Sequence, residues 1–266
     1  MSTIFAIAGK GGVGKTTVAA LIVAALARQG ARPVLAVDAD PNSCLDAVLG
    51  VTVEKTVGRL REDVRGEAAA VPGMSKRELL ELRLAESLAE GEDFDLISMG
   101  RPEGPGCYCY ANSVLRDILG RVAGQYPFVV MDNEAGLENL SRRIAPAVDT
   151  LILVADPSRR GLGTLARLHA LALEMAVSFS RLVLVVNRLR GPEPPGYAFE
   201  LAAATGADGL IGLPEDAALA ALDEAGQSLL GLPPDNPVAA SVAALVRGLT
   251  GEAAGKPPVD GALRSG

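Results

Sequence analysis

Tryptophan is absent from this chain of 266 residues, and the other large aromatics are scarce, with five phenylalanines and four tyrosines. A stacking platform for single-stranded nucleic acid needs aromatic side chains, so this composition argues against that function. Basic residues are also in deficit: 25 lysines and arginines face 32 aspartates and glutamates, giving a net charge of −7. We therefore expect no nucleic-acid partner and no membrane partner.

Cysteine occurs only three times, too few for a disulfide framework, which predicts a reducing compartment. Long apolar runs are missing too, and none approaches the ~20 residues that a membrane-spanning helix needs. The opening "MSTIFAIAGKGG" has no basic region, and its apolar run is too short for a secretory signal. Together these absences predict a cytoplasmic protein.

Apolar residues, by contrast, make up 49% of the chain and concentrate in short, nearly continuous runs. Such continuity is typical of strands that are buried on both faces of a parallel sheet. Helical patterns separate the runs, at 16–30, 75–91 and 163–177 for example. This alternation predicts an α/β fold: a doubly wound, mostly parallel sheet with helices on both faces. The predicted strands are 3–9, 33–40, 94–100, 127–132, 150–156, 181–188 and 209–214.

The pattern along the chain predicts a single domain over residues 1–250. Residues 251–266 lack periodicity and are predicted to form a flexible tail. Residues 51–76 show no readable pattern and are interpreted as an insertion.

A glycine-rich loop follows the first predicted strand, with the sequence "GKGGVGKTT" at 9–17. Its glycines also fit a dinucleotide fingerprint, but that motif has no use for the following Lys–Thr pair. A triphosphate site needs both, a cation on the phosphates and a hydroxyl on Mg²⁺, so the P-loop interpretation explains more. The predicted nucleotide-binding residues of the loop are Gly9, Gly11, Gly12, Val13, Gly14, Lys15, Thr16 and Thr17.

Lys10 gives the loop a further feature. The octet "KGGVGKTT" resembles the deviant Walker A motif of the dimeric ATPases that include the nitrogenase iron protein, MinD and ParA. The resemblance implies that Lys10 reaches the nucleotide of the opposite subunit, and that Lys10 and Lys15 both serve catalysis.

Polar residues at the ends of later strands resemble the same class. "VDADPN" places Asp38 and Asp40 where the class has switch I aspartates, and "FVVMDNEAG" places Asp132 and Gly136 in the position of switch II. The resemblance implies that Asp38, Asp40 and Asp132 join Thr16 around Mg²⁺, partly through water. Asp40 is the preferred catalytic carboxylate, whereas Asp38 could equally be a structural strand-end residue. Asn187 corresponds to an adenine-reading asparagine, or to a simple strand-end turn.

Two of the three cysteines lie one residue apart in "GPGCYCYANS". In an extended segment Cys107 and Cys109 would share a face about 7 Å apart and could both bind one soft metal ion. A helix predicted to begin near Ala111 would favour the thiolate form. No third cysteine is close, and His169 belongs to a helical pattern, so a second copy of the chain would have to complete the site. Cys44 is predicted to pack as a small apolar residue.

The blocks "KGGVGKTT", "VDADPN", "GPGCYCYANSVLR" and "MDNEAGLENLSRR" together resemble the carbon monoxide dehydrogenase accessory ATPases, the CooC-type nickel-insertion factors. The resemblance covers roughly residues 3–215. It implies a homodimer that uses ATP/ADP and Mg²⁺, and that binds Ni²⁺ or Zn²⁺ through Cys107 and Cys109. Its partner would be nickel-containing carbon monoxide dehydrogenase or a related nickel enzyme.

Two alternatives remain open at the level of sequence. One is an ATP-dependent iron–sulfur reductase resembling the nitrogenase iron protein, although that family takes a second cysteine from the segment after switch II, where this chain has none. The other is a partition or positioning ATPase, which predicts a basic amphipathic C-terminal helix or a basic stripe. Residues 238–266 offer neither.

Overall fold

The computed structural model describes residues 2–59, 87–101, 108–141 and 148–251. Within these ranges eight strands form one sheet, in the order β3-β4-β2-β5-β1-β6-β7-β8. Every neighbouring pair is parallel except β3 with β4. The strands are β1 (Thr3–Gly9), β2 (Val34–Asp38), β3 (Leu88–Glu90), β4 (Phe94–Ser98), β5 (Phe128–Asp132), β6 (Val148–Ala155), β7 (Phe179–Leu189) and β8 (Gly209–Pro214).

Helices cover both faces of this sheet. In β1 the fully buried Phe5 and Ile7 pack against the helices on one face of the sheet, whereas Ala6 and Ala8 belong to the core that lies between the sheet and the helices on the other face. The predicted doubly wound, mostly parallel α/β fold is therefore confirmed. The helices are α1 (Lys15–Arg28), α2 (Leu45–Leu49), α3 (Tyr108–Val122), α4 (Glu138–Ser141), α5 (Arg159–Glu174), α6 (Gly196–Thr205), α7 (Ala217–Glu224) and α8 (Pro237–Thr250).

The helix starts follow local chemistry. Asn236 caps α8 because its Oδ1 accepts hydrogen bonds from the backbone N–H groups of Val238 and Ala239, and Pro237 occupies the first helical position. Ser158 caps α5 in the same way, through Gly161 N–H. Helix α1 differs, because Gly14 precedes it and no side chain caps it.

The seven predicted strands are all present, with ends displaced by up to two residues. The helical pattern predicted over 75–91 is wrong at its end, since Leu88–Glu90 form the short strand β3, which pairs with β4. Backbone pairing along the sheet edge overrides the local helical preference of these residues. Residues 60–86 lie outside the described ranges.

The prediction of a single domain with a flexible tail stays a prediction, because 252–266 also lie outside the described residues. Among the residues described, every helix is too short or too polar to span a membrane.

Candidate functional site

The four adjacent parallel strands β2, β5, β1 and β6 all end at one edge of the sheet. Ligands of open α/β sheets bind at that edge, in the crevice beyond the carboxyl ends of the strands. The loops after Gly9, Asp38 and Asp132 meet there, and Asp38 and Asp132 are direct register partners of β2 and β5. The edge therefore gathers the residues predicted for a nucleotide site.

Two positions in the loop after β1 require glycine for steric reasons. A Cβ on Gly9 would lie 2.3 Å from the carbonyl oxygen of Val154 on β6. A Cβ on Gly14 would lie 2.4 Å from Nδ2 of Asn187, and the φ of Gly14, +93°, is in the left-handed region. At these two positions the loop backbone lies so close to Val154 and Asn187 that there is no room for a side chain.

The amino end of α1 has features that suit the binding of an anion. Gly14 provides no capping side chain, and the first turn contains no acidic residue. The free N–H groups and the helix dipole make this end suitable for an anion such as a phosphate. Lys15 adds a cation: it is 7% exposed, and its Nζ donates to the carbonyl oxygen of Lys10 at 3.4 Å.

Lys10 and its neighbours lie on the solvent side of the loop. Lys10, Gly11 and Gly12 are exposed, whereas Val13 is buried. The exposure of Lys10 leaves its side chain accessible from outside the chain, and its contact with the nucleotide of an opposite subunit stays a prediction.

Asp132 lies at the centre of the site and is 2% exposed. Burial raises the pKa of its carboxyl to about 7, and the nearby Asp38 and Asp40 contribute to the rise. A side-chain hydrogen bond with Thr16 and the charge of Lys15 act in the opposite direction. Three of these groups, Thr16, Asp38 and Asp40, are the ones predicted to surround Mg²⁺ together with Asp132.

Asp38 is also buried, and its pKa is raised to about 6, chiefly by burial. Both of its oxygens are used locally: Oδ1 accepts from Asp40 N–H at 3.0 Å and Oδ2 from Leu45 N–H at 2.9 Å. These bonds give Asp38 a structural task, the shaping of the loop that presents Asp40. Asp40 itself is half-buried.

The donor set fits a magnesium ion accompanying a nucleotide. Oδ1 of Asp132 is buried without a hydrogen-bond partner, and the Thr16 side chain is bonded to the same carboxyl. Carboxylate and hydroxyl oxygens are the ligands that Mg²⁺ prefers. Among the described residues there is no group of three or more His, Cys, Asp or Glu side chains that could hold a metal ion directly. The contacts of Asp38, Asp40 and Asp132 with Mg²⁺ through water stay a prediction.

Asn187 supports the loop. It is 9% exposed, its Nδ2 donates to Val13 O at 2.9 Å, and its Oδ1 accepts from Arg188 N–H at 2.9 Å. The structure therefore places Asn187 against the loop backbone, and its adenine-reading role stays a prediction.

Two asparagines of the segment after β5 escaped sequence reasoning. Asn133 donates through both its backbone N–H and its Nδ2 to the carbonyl oxygen of Ile7, which ties this segment to β1. Asn139 on α4 donates to the carbonyl oxygen of Ala39 at 2.7 Å, which ties it to the loop after β2. Their position just after Asp132, in "DNEAGLEN", was the only available signal.

The cysteine interpretation is corrected in part. Helix α3 begins at Tyr108, not near Ala111, so Cys109 is helical and the extended segment predicted for the pair does not include it. The argument from strand spacing therefore does not hold for Cys109, whose backbone is helical. Cys107 lies outside the described residues, and so do the side-chain contacts of Cys109. Cys44 is exposed, contrary to its predicted packing, because it precedes α2 on a surface turn. His169 lies within α5 as predicted, edge-on to Phe179.

Comparison with known families decides the class of this nucleotide site. Residues 4–229 match the family model described as CbiA, the CobQ/CobB/MinD/ParA nucleotide-binding domain. The chain belongs to this family. The family is one of nucleotide-binding ATPases, and the sheet edge is where the residues predicted to bind the nucleotide lie together.

Individual relatives in the CobQ/CobB/MinD/ParA family span most of the chain. An uncharacterized ATP-binding protein of Methanocaldococcus jannaschii is 44% identical over 238 residues, covering 88% of this chain and 93% of the relative. The carbon monoxide dehydrogenase accessory protein CooC of Rhodospirillum rubrum is 31% identical, covering 86% and 90%. The cell-division ATPase MinD of Pyrococcus furiosus superposes with a TM-score of 0.68 at 21% identity, covering 95% and 100%, which shows the shared fold.

Proposed function

We propose that this chain is an ATP-hydrolysing homodimeric metallochaperone that binds Ni²⁺ or Zn²⁺ through Cys107 and Cys109. It would deliver nickel to a nickel–iron–sulfur enzyme such as carbon monoxide dehydrogenase. The observation that carries the proposal is a 31% identity with the accessory protein CooC over 86% of this chain, which contains the cysteine pair Cys107 and Cys109. The 44% identical relative is uncharacterized and therefore leaves the cargo open.

The nucleotide site can perform hydrolysis by positioning alone. The N–H groups at the start of α1 and the buried Lys15 would hold the phosphates, while Thr16 and Asp132 would hold Mg²⁺, which neutralises charge on the phosphoryl group when bound. Asp40 would orient the attacking water. No covalent nucleophile is required. A magnesium–ADP complex is known for MinD of Pyrococcus horikoshii, whose fold this chain shares at a TM-score of 0.66.

The homodimer is proposed from two features. Lys10 is exposed on the solvent side of the loop, where the nucleotide of a facing copy would offer it a partner. One chain also supplies only two thiols, so two copies related by a two-fold axis would supply four.

The metal site proposed for Cys107 and Cys109 is supported by the sequence and by the similarity to CooC. Cys109 belongs to helix α3 and Cys107 lies outside the described residues, so the spacing of the two thiols stays a prediction.

The deciding experiment is metal analysis after size-exclusion chromatography, with and without ATP and Ni²⁺. We expect about one metal ion per dimer in the wild type and none in Cys107→Ala/Cys109→Ala. Cys44→Ala is the matched control, because its thiol is exposed but distant in sequence from the pair. A double variant that still binds one ion per dimer would overturn the metallochaperone proposal.

A partition or positioning ATPase is the second candidate. The maintenance of carboxysome distribution protein A of Synechococcus elongatus is 32% identical over 181 residues, 66% of each chain. This candidate predicts ATP-dependent binding to DNA or to vesicles in a sedimentation assay, and no retained metal. The iron–sulfur reductase alternative predicts iron and a brown colour after anaerobic purification.

A further inference from the structure

The loop formed by residues 39–44, between β2 and α2, is bonded to the segment that follows β4. Ser43 Oγ accepts hydrogen bonds from Ser98 Oγ at 2.7 Å and from Gly100 N–H at 3.1 Å. Met99 N–H donates to Asp38 O at 2.8 Å. In sequence, β4 is followed by residues 99–101 and then by the segment that carries the cysteines, so this junction lies between the nucleotide edge and the start of that segment.

A second connection runs through side chains. Oδ1 of Asp40 accepts from both Asn42 N–H, at 2.8 Å, and Asn42 Nδ2, at 2.9 Å. Oδ1 of Asn42 in turn accepts a hydrogen bond from Nη2 of Arg101. The Asn42 amide thereby links the candidate catalytic carboxylate to a residue six positions before Cys107.

The junction is held in an unusual backbone conformation on both sides. Ser43 has a φ of +46°, in the left-handed region that a serine rarely adopts. Gly100 has a φ of +60°, and a Cβ there would lie 2.4 Å from Oγ1 of Thr56. A non-glycine residue persists in such a conformation only where surrounding contacts hold it, and the hydrogen bonds from Ser98 and Gly100 to Ser43 are contacts of this kind.

We propose that Asn42 is a positioning residue that couples the state of Asp40 to the segment beginning at Arg101. In the ligand-free chain the Asp40 carboxylate is held by the Asn42 amide. When Asp40 turns toward a nucleotide-bound water or Mg²⁺, it no longer accepts the hydrogen bond of the Asn42 amide. The Asn42 side chain can then rotate, so that its Oδ1 is no longer held in place for the hydrogen bond from Arg101. The inference deepens the proposed function, because residues 101–109 carry the proposed metal ligands.

The test is the alkylation rate of Cys107 and Cys109 by iodoacetamide, with and without a non-hydrolysable Mg²⁺–ATP analogue, in a Cys44→Ala background. We expect the analogue to change the rate by about five-fold or more in the parent. Asn42→Ala and Arg101→Ala should remove the difference, and Arg101→Lys, which keeps a donor for Asn42, should restore part of it. Analogue binding is titrated separately in every variant.

Arg116→Ala is the matched control, because Arg116 is an exposed arginine whose hydrogen bond stays within α3. It should respond like the parent. The inference is overturned if the parent binds the analogue without a change in alkylation, or if both Asn42→Ala and Arg101→Ala respond like the parent. Alkylation needs no metal, so an absence of Ni²⁺ binding would reject the metallochaperone function while leaving this coupling standing.

Discussion

At the scale of single residues, the site combines two buried carboxyls with one buried lysine. Asp38 satisfies both of its oxygens with backbone N–H groups, whereas Oδ1 of Asp132 has no partner. A buried ionised carboxylate without compensation destabilises the folded state, and a bound cation removes that cost. The same atom that makes the ligand-free protein less stable is thus the one suited to hold Mg²⁺.

Asp132→Asn should therefore raise the stability of the ligand-free protein at pH 8 and remove its stabilisation by Mg²⁺–ATP. Because burial raises the pKa of Asp132 from 3.8 to about 7, its contribution to stability is present below pH 4 and is lost as the pH rises through 7. Between these two pH values the contribution of Asp132 to the free energy of unfolding changes by at most about 4 kcal/mol. Thermal unfolding between pH 5.5 and 8, with and without Mg²⁺–ATP, measures both effects.

Asp156 provides a contrast of opposite sign. The hydrogen bond with Ser158 holds the pKa of Asp156 below its usual value, so its carboxylate stabilises the fold above pH 4 and loses that effect only in acid. Asp156→Asn should lower the melting temperature at pH 8. If Asp132→Asn also lowered it, the account of Asp132 would be wrong.

At the scale of elements, the passage from β1 through the loop into α1 depends on close backbone contacts. Gly14 is the last residue before α1, and it packs against Asn187 near the end of β7. The loop is therefore held by α1 on one side and by β7 on the other. Gly11 differs, since a Cβ there would meet nothing within 4 Å and its φ is not in the left-handed region.

Gly14→Ala should therefore destabilise the protein by about 1–3 kcal/mol and weaken nucleotide binding, because it combines backbone strain with an overlap at Asn187. Gly11→Ala should leave stability within about 0.5 kcal/mol, as expected for a surface change without strain. Denaturant unfolding of the two variants checks the difference. Equal losses at both positions would show that loop conformation, and not contact with Asn187, is what matters.

At the scale of the whole molecule, the site is proposed to be incomplete in one copy of the chain. Lys10 is exposed, and the cysteine pair supplies two ligands where a tetrahedral soft-metal site takes four. Both features are satisfied by a two-fold arrangement in which the nucleotide edges face each other.

Lys10→Ala should accordingly retain ATP binding but lose ATP-dependent dimerisation and at least about ten-fold of its hydrolysis rate, since a cation on the transferring phosphoryl group contributes on the order of 10³-fold or more. Sedimentation velocity and a phosphate-release assay measure the two losses. Arg167→Ala serves as the control, because Arg167 is an exposed cation whose hydrogen bond stays within α5. A Lys10→Ala variant that hydrolyses ATP normally would contradict a role across the interface.

The sequence by itself predicted seven of the eight strands, because short apolar runs rich in β-branched residues and separated by helical patterns are typical of strands buried on both faces. It also determined the identity of the loop around Lys15, since glycine spacing before a Lys–Thr pair is a local property. Contacts between distant segments were decided only by tertiary structure. The strand at Leu88 forms because it pairs with β4 at the edge of the sheet. Cys109 is part of helix α3. Asn42 accepts a hydrogen bond from Arg101, which lies 59 positions later in the sequence. Such pairings depend on which loops the parallel strands bring to one edge of the sheet, and a local sequence pattern does not contain that information.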